Sequence, residues 1–159
     1  MDKITEHSPK RLIVVDAVEA LAEGLFGDAY EYELVASATY DPLELIHKLE
    51  KAKWITILGD EASELYDLGG TIRNEVLVNV LILAPVPSPN LAHTIPYLEH
   101  VEIMKHNLIG CEIEHKGHVI YGDVQSEAPA WWSDNDIEHI ARALRIRFAI
   151  VLRIDDDRS

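Results

Sequence analysis

"RALRIRFAIVLRI", residues 142–154, alternates apolar and basic side chains and identifies the strand around which the fold is built. Alternation with a period of two is typical of a β-strand that places one of its faces on a core. Arg142 breaks the pattern, so we predict that the strand begins near this residue and runs to 154. Its core face comprises Leu144, Ile146, Phe148, Ile150, Leu152 and Ile154, and its other face comprises Arg145, Arg147, Ala149, Val151 and Arg153.

The arginines of this strand need an explanation because the chain is strongly acidic. It contains 28 Asp and Glu residues against 14 Lys and Arg residues, and its formal net charge is −14. The arginine-bearing face must therefore meet water or a carboxylate. Opposite charges on neighbouring strands stabilise their pairing, which makes Glu75 a candidate partner within the chain. Acidic residues of a second copy are the other candidate.

A second strand is predicted at residues 71–83, "TIRNEVLVNVLIL", which the proline-rich "APVPSPN" terminates. Its two faces separate Val76, Val78, Val80 and Ile82 from Arg73, Glu75, Leu77, Asn79 and Leu81. Weaker patterns predict strands at 30–39 and 54–58 and a hairpin at 111–124 that turns at Lys116–Gly117. We expect exposed polar loops at 60–70 and 125–136.

Three segments carry helix signals. Ser8 followed by Pro9 is an N-cap followed by proline at the first helical position. Asn90 is another capping residue, but Pro96 then requires either a kink or a helix start near residue 95. The predicted helices are 9–26, 41–53 and a segment that begins at 91 or near 95.

This mixture of elements predicts an α+β fold, with a mixed, mainly antiparallel sheet packed by two or three helices. At 159 residues the chain is large enough to bury one hydrophobic core. We expect a single domain over residues 1–154, followed by a mobile acidic tail at 155–159.

The composition excludes several classes of function. A net charge of −14 repels phosphate backbones and anionic lipid, so we expect neither sequence-specific nucleic-acid binding nor membrane binding. The single cysteine, Cys111, excludes an intrachain disulfide. The first residues lack the apolar core of a signal peptide, and the longest apolar run is too short to span a bilayer. We expect a soluble protein that is intracellular when made.

No catalytic or cofactor motif is present in the sequence. The glycines form neither a phosphate loop nor a dinucleotide fingerprint, and Cys111 lacks a nucleophile motif. We therefore predict no cofactor and no enzymatic activity. One alternative is a small metal-dependent enzyme that uses His115, His118 and Glu112. Another is an acidic module that binds a basic protein by charge complementarity.

Trp131 and Trp132 are adjacent within the predicted polar loop at 125–136. In an extended backbone two neighbouring side chains point to opposite sides, so one tryptophan can cover the core while the other anchors an interface. The alternative is that both fold over the domain's own core.

The order of these elements resembles that of the tail-terminator and tail-completion proteins of long-tailed bacteriophages. The likeness is carried by "VLVNVLILAPVPSPN", "EAPAWWSDND" and "RALRIRFAIVLRI", and it extends from about residue 10 to 154. It implies a homohexameric ring that stacks on the last ring of tail-tube protein and stops tube growth. Such a ring offers a surface to the head connector or neck protein and lets DNA pass. The protein would belong to the neck end of the virion tail, and to the host cytoplasm during assembly.

In such a ring the copies meet head to tail, so two different surfaces must be complementary. The resemblance therefore implies that a basic surface of one copy binds an acidic surface of the next. The interface candidates are Arg145, Arg147 and Arg153, the acidic residues Glu61, Glu64 and Asp67, and the tryptophans Trp131 and Trp132.

Overall fold

The computed structural model describes residues 4–36, 46, 48–66, 71–87, 90–122, 136–140 and 142–157. Within the described residues, helices run over Lys10–Phe26 (α1) and Leu91–Leu108 (α2), Ile46 is also helical, and a short 3-10 turn (Gly27–Ala29) follows α1. The seven strands are β1 (Glu31–Val35), β2 (Lys53–Tyr66), β3 (Thr71–Pro85), β4 (Glu112–His115), β5 (His118–Tyr121), β6 (Asp136–Ile140) and β7 (Ala143–Asp157).

All seven strands form one curled sheet with the order β1-β2-β3-β7-β5-β4, and β6 also pairs with β7. Only β1 and β2 run parallel, and the other described pairs are antiparallel. One edge of β7 pairs with β3 along its whole length, and its other edge pairs with β6 near the start and with β5 near the end. The predicted single α+β domain with a mixed, mainly antiparallel sheet is confirmed.

The main core lies between the sheet and the two helices. The even-numbered residues of β7 from Leu144 to Ile154 and those of β3 from Val76 to Ala84 are buried in it. Helix α1 contributes Ile13, Val14, Val15, Ala17, Val18 and Ala22, and α2 contributes Val101, Met104 and Leu108. The predicted core face of β7 is therefore confirmed, and the face of β3 that carries Val76, Val78, Val80 and Ile82 lies in the same core.

The opposite side of the sheet carries the odd-numbered residues of β7, and we call it the arginine face. A smaller apolar cluster covers its β1–β2 side, where Ile46 and the half-buried Leu49 pack on the sheet. The sheet contributes Ile55, Ile57, Leu81, Leu83 and Ala143 to this cluster.

The loop predicted at 60–70 was wrong for residues 60–66, which continue strand β2. The register with β3 shifts between Leu58 and Ala62, and pairing then continues to Tyr66, opposite Ile72. Gly59 permits this irregularity, because a Cβ atom there would lie 2.7 Å from the carbonyl oxygen of Leu77. The polar segment is thus held in the sheet by its partner strand.

The helix ends differ in part from the prediction. Pro9, not Ser8, is the N-cap of α1, and the Ser8 hydroxyl instead accepts a hydrogen bond from the Thr5 amide at 2.8 Å. Helix α2 starts at Leu91, where the Asn90 side chain accepts from the Ala92 amide, and it continues through Pro96. A start near residue 95 was therefore wrong. Of the helix predicted at 41–53, residues 41–45 and 47 lie outside the described residues, and Ile46 is helical. Residues 48–52 are not helical, and 53 belongs to β2.

Two further predictions concern turns and the end of β7. The hairpin is confirmed, since Lys116 and Gly117 both have positive φ and join His115 to its partner His118. Arg142 has φ 65° and precedes the first residue of β7, as expected. Strand β7 continues past 154 to 157, opposite 71–73, so these three acidic residues belong to the sheet and not to the predicted tail.

Candidate interface surface

Arg145 is held inside the chain by a strand that the sequence analysis missed. Its side chain is 10% exposed, and its guanidinium forms an ion pair with the Glu138 carboxylate. Glu138 belongs to β6, and the register places it directly opposite Arg145. Because both residues belong to neighbouring strands of one chain, the ion pair fastens β6 to β7.

Arg153 also makes contacts within the chain. Its guanidinium carbon lies 4.3 Å from the centre of the Tyr121 ring on β5, which is a cation–π contact. Its Nε atom lies 3.4 Å from a carboxylate oxygen of Asp155. Glu75 is its cross-strand partner on β3, which is the neighbour that the sequence analysis expected for the arginine face. Arg153 therefore connects three strands of the sheet.

Arg147 differs from the other two arginines of β7 because its side chain is exposed. Its cross-strand neighbours are Leu81 on β3 and the exposed Asp136 on β6. Of the three predicted interface arginines, Arg147 is thus the one whose guanidinium faces solvent and can reach a partner.

The other predicted interface residues are only partly described. Glu61 and Glu64 lie in β2, and Glu64 is opposite Asn74, but their side chains lie outside the described part of the structure. Asp67, Trp131 and Trp132 lie outside the described residues altogether.

Two of the three residues of the alternative metal cluster have structural contacts. The His115 Nε2 atom lies 2.7 Å from the Asp16 carboxylate, which the Lys116 ammonium also approaches to 2.7 Å. Burial alone would raise the pKa of Asp16, but the hydrogen bonds from Lys116 and His115 outweigh it and hold the pKa below its ordinary value. These contacts join α1 to the β4–β5 hairpin.

His118 connects the same hairpin to the N-terminal segment. Its ring nitrogens lie 3.1 Å from the Lys10 ammonium and 2.9 Å from the Glu6 carbonyl oxygen. Glu112, the third candidate ligand, is exposed at the start of β4. Within the described residues, no group of three His, Cys, Asp or Glu side chains is arranged to hold a metal ion.

An aromatic cluster near the end of α1 was not anticipated from the sequence. His100 on α2 stacks on Phe26 with ring centres 4.4 Å apart, and its Nδ1 atom lies 2.6 Å from the Tyr30 hydroxyl, within hydrogen-bond distance. Burial among these rings lowers the pKa of His100, and the neighbouring Glu99 carboxylate opposes this effect. The cluster connects α2 to α1 and to the start of β1.

The described helices include none that is long and apolar enough to cross a membrane. No protein-family model matches the chain. No curated protein matches it in sequence.

Among solved structures, the fold is similar to that of one chain in a structure described as the virion of native gene transfer agent (GTA) particle. The two chains superpose with a TM-score of 0.52 and are 13% identical. The match covers 91% of this chain and 96% of the other. At this identity the likeness concerns the fold, and it extends over almost the whole of both chains.

Proposed function

We propose that the protein is a structural component of a phage-like virion, where it caps the tail tube as a homo-oligomeric ring. In this role it ends tube polymerisation and presents a surface for joining head and tail. The observation that carries the proposal is the fold shared with a chain of the gene transfer agent virion, over 91% of this chain and 96% of that one.

The finer role is supported by the layout shared with tail-terminator proteins. Strand β3 ends at Pro85 shortly before α2 begins at Leu91, and the alternating strand β7 follows the segment that contains Trp131 and Trp132. Its partners in this role are further copies of itself, the tail-tube protein and a neck or connector protein. Its activity is binding, without a chemical reaction or a cofactor.

Arg147 is the β7 arginine that we assign to contacts between copies. It is exposed, whereas Arg145 and Arg153 contact other strands of their own chain and so hold the arginine face in shape. A neighbouring copy offers carboxylates in the segment that contains Glu61, Glu64 and Asp67. The net charge of −14 suits the wall of a channel, because a strongly acidic wall repels DNA and lets it slide.

Tube assembly in vitro tests this proposal. Tail-tube protein from the same virus or particle is polymerised with and without the purified protein, and tube lengths are measured by electron microscopy. We expect shorter tubes with added ring density at one end, and an oligomer that light scattering detects. Tubes of unchanged length without end density, together with a strictly monomeric protein, would overturn the proposal.

A further inference from the structure

The start of α2 and the adjacent strand β6 expose a group of apolar side chains, which we call the neutral patch. Leu91 is 68% exposed, Ile95 is 43% exposed and Ile137 is 40% exposed. Ala92 and Pro96 are also exposed and lie on the same side of the helix as Leu91 and Ile95. Large aliphatic side chains that cluster at the surface mark sites of association.

The two halves of the neutral patch, at the start of α2 and on β6, are held by a helix cap and by one side-chain contact between them. The Asn90 side chain caps α2 by accepting from the Ala92 amide at 3.0 Å, which fixes the first turn that carries Leu91. The Thr94 hydroxyl lies 3.2 Å from Nε2 of His139 on β6. Because His139 and Ile137 are two residues apart on one strand, both lie on the α2 side of the sheet. The patch is thus supported by a fixed part of the fold.

The neutral patch lacks charge in a chain that is otherwise rich in carboxylates. From Val76 through Leu98 the sequence contains no Asp, Glu, Lys or Arg. The two acidic residues of β6, Asp136 and Glu138, lie opposite Arg147 and Arg145 and therefore on the other side of the sheet. Among the described residues, an approaching surface meets apolar side chains from Leu91 to Ile95, and the next carboxylate along this side of α2 is that of Glu99, one turn after Ile95.

This distribution of charge indicates which kind of molecule binds at the neutral patch. A basic partner is attracted by most of the surface of a chain with net charge −14, whereas a second copy is repelled by most of it. Two like-charged copies approach at lowest electrostatic cost where the surface is uncharged, and burial of apolar side chains there supplies the attraction. We infer that the neutral patch is the surface through which a second copy of this chain binds, an inference that rests on the proposed ring.

A charge placed in the patch tests the inference. Ile95→Glu puts a carboxylate at its centre, and burying that carboxylate without a partner weakens association by at least about tenfold. Ile103→Glu is the matched control, because Ile103 is 42% exposed on the same helix but lies two turns beyond Ile95, next to Glu102 and outside the neutral patch. Association constants are measured by sedimentation equilibrium, and circular dichroism establishes that each variant is folded.

Leu91→Glu is the second variant, and its high exposure makes it the least disturbing to the monomer. We expect both patch variants to associate weakly while Ile103→Glu associates like the wild type. Wild-type association of both folded patch variants, or equal loss in the control, would overturn the inference.

The dependence of association on ionic strength tests whether the neutral patch or ion pairs supply most of the affinity. Raising sodium chloride from about 0.05 M to about 0.5 M screens the repulsion between acidic copies, so we expect association to hold or strengthen. A weakening larger than that caused by Arg147→Glu would show that ion pairs supply most of the affinity, and it would overturn the inference.

The same experiments separate this inference from the proposed function. If Ile95→Glu and Leu91→Glu still form the wild-type oligomer and shorten tubes, only the inference fails. If the wild type associates through the patch but leaves tube lengths unchanged, only the tail-capping role fails.

Discussion

At the level of single residues, the ion pair between Arg145 and Glu138 holds β6 against β7. Replacing Glu138 with Gln removes the charge that compensates the guanidinium of the buried Arg145. We expect the free energy of unfolding to fall by about 1–3 kcal/mol, measured by urea denaturation. Asp136→Asn, at the exposed position opposite Arg147, should change it by less than about 0.5 kcal/mol. Equal effects of the two substitutions would contradict this assignment.

His100 predicts how stability depends on pH. Its pKa in the folded protein is lowered, so the unfolded chain binds a proton more readily at this position. The contribution of His100 to stability is therefore complete well above pH 6.5 and is lost as pH falls from about 6.5 through the folded pKa. We expect His100→Phe, which cannot titrate, to lose less stability than the wild type between pH 7.5 and 5.5. Identical losses in the two proteins would contradict this role of His100.

At the level of elements, Gly122 determines how closely strand β5 can pass the end of α2. A Cβ atom on Gly122 would overlap the carbonyl oxygen of Leu108, and the Gly122 amide donates to the Cys111 carbonyl at 3.0 Å. We expect Gly122→Ala to lower the free energy of unfolding by about 2–4 kcal/mol, measured by thermal and urea denaturation.

Gly24 provides the matched control, because a Cβ atom there meets nothing within 4 Å and the residue lies in helix α1. Gly24→Ala should raise stability by about 0.5–1 kcal/mol, through helix propensity and a less flexible unfolded chain. A large loss in Gly24→Ala would show that the effect at Gly122 is not specific to its close approach.

Secondary structure could be predicted from the sequence where the local pattern alone determines it. The alternation in β3 and β7 was enough to predict two strands, and the signal at Lys116–Gly117 was enough to predict the turn of the hairpin. The end of β2 was not predictable from "DEASELY", because pairing with β3 outweighs its polar composition. Strand β6 was missed because "DIEHI" is short, and its state depends on the turn at Arg142 and on β7.

The interface could be predicted only in part, because it too depends on contacts between residues that are far apart in the sequence. The sequence placed three arginines on one face of β7, and the structure confirms that alternation. Which of them remains exposed depends on neighbours far away in sequence, since Glu138 and Tyr121 engage Arg145 and Arg153. The neutral patch could not be predicted from the sequence either. The spacing of the apolar residues in α2 does not show which of them remain exposed after the helix packs on the core.

At the level of the whole molecule, Arg147 should affect assembly more than folding. Its side chain is exposed, so we expect Arg147→Glu to change the free energy of unfolding by less than about 0.5 kcal/mol and to weaken ring formation about tenfold. Arg11→Glu on α1 makes the same change in net charge at another exposed position. Light scattering and urea denaturation on both variants separate the two effects.

Comparable loss of assembly in Arg11→Glu would show that net charge, not the position of Arg147, controls association. Comparable loss of stability and assembly in Arg147→Glu would instead indicate that Arg147 acts within its own chain.

The position of β7 in the sheet has a consequence for how the protein is made. This strand lies in the centre of the sheet but is the last described strand in chain order, and its partner β3 is complete at Pro85. About 60 residues separate them, so at about 5–20 residues per second the ribosome leaves the edge of β3 uncovered for several seconds. Nascent chains on one polysome therefore present bare apolar strand edges to each other during translation. Slower synthesis lengthens this interval and should lower the yield of folded protein, whereas a chaperone bound to the emerging β3 should raise it.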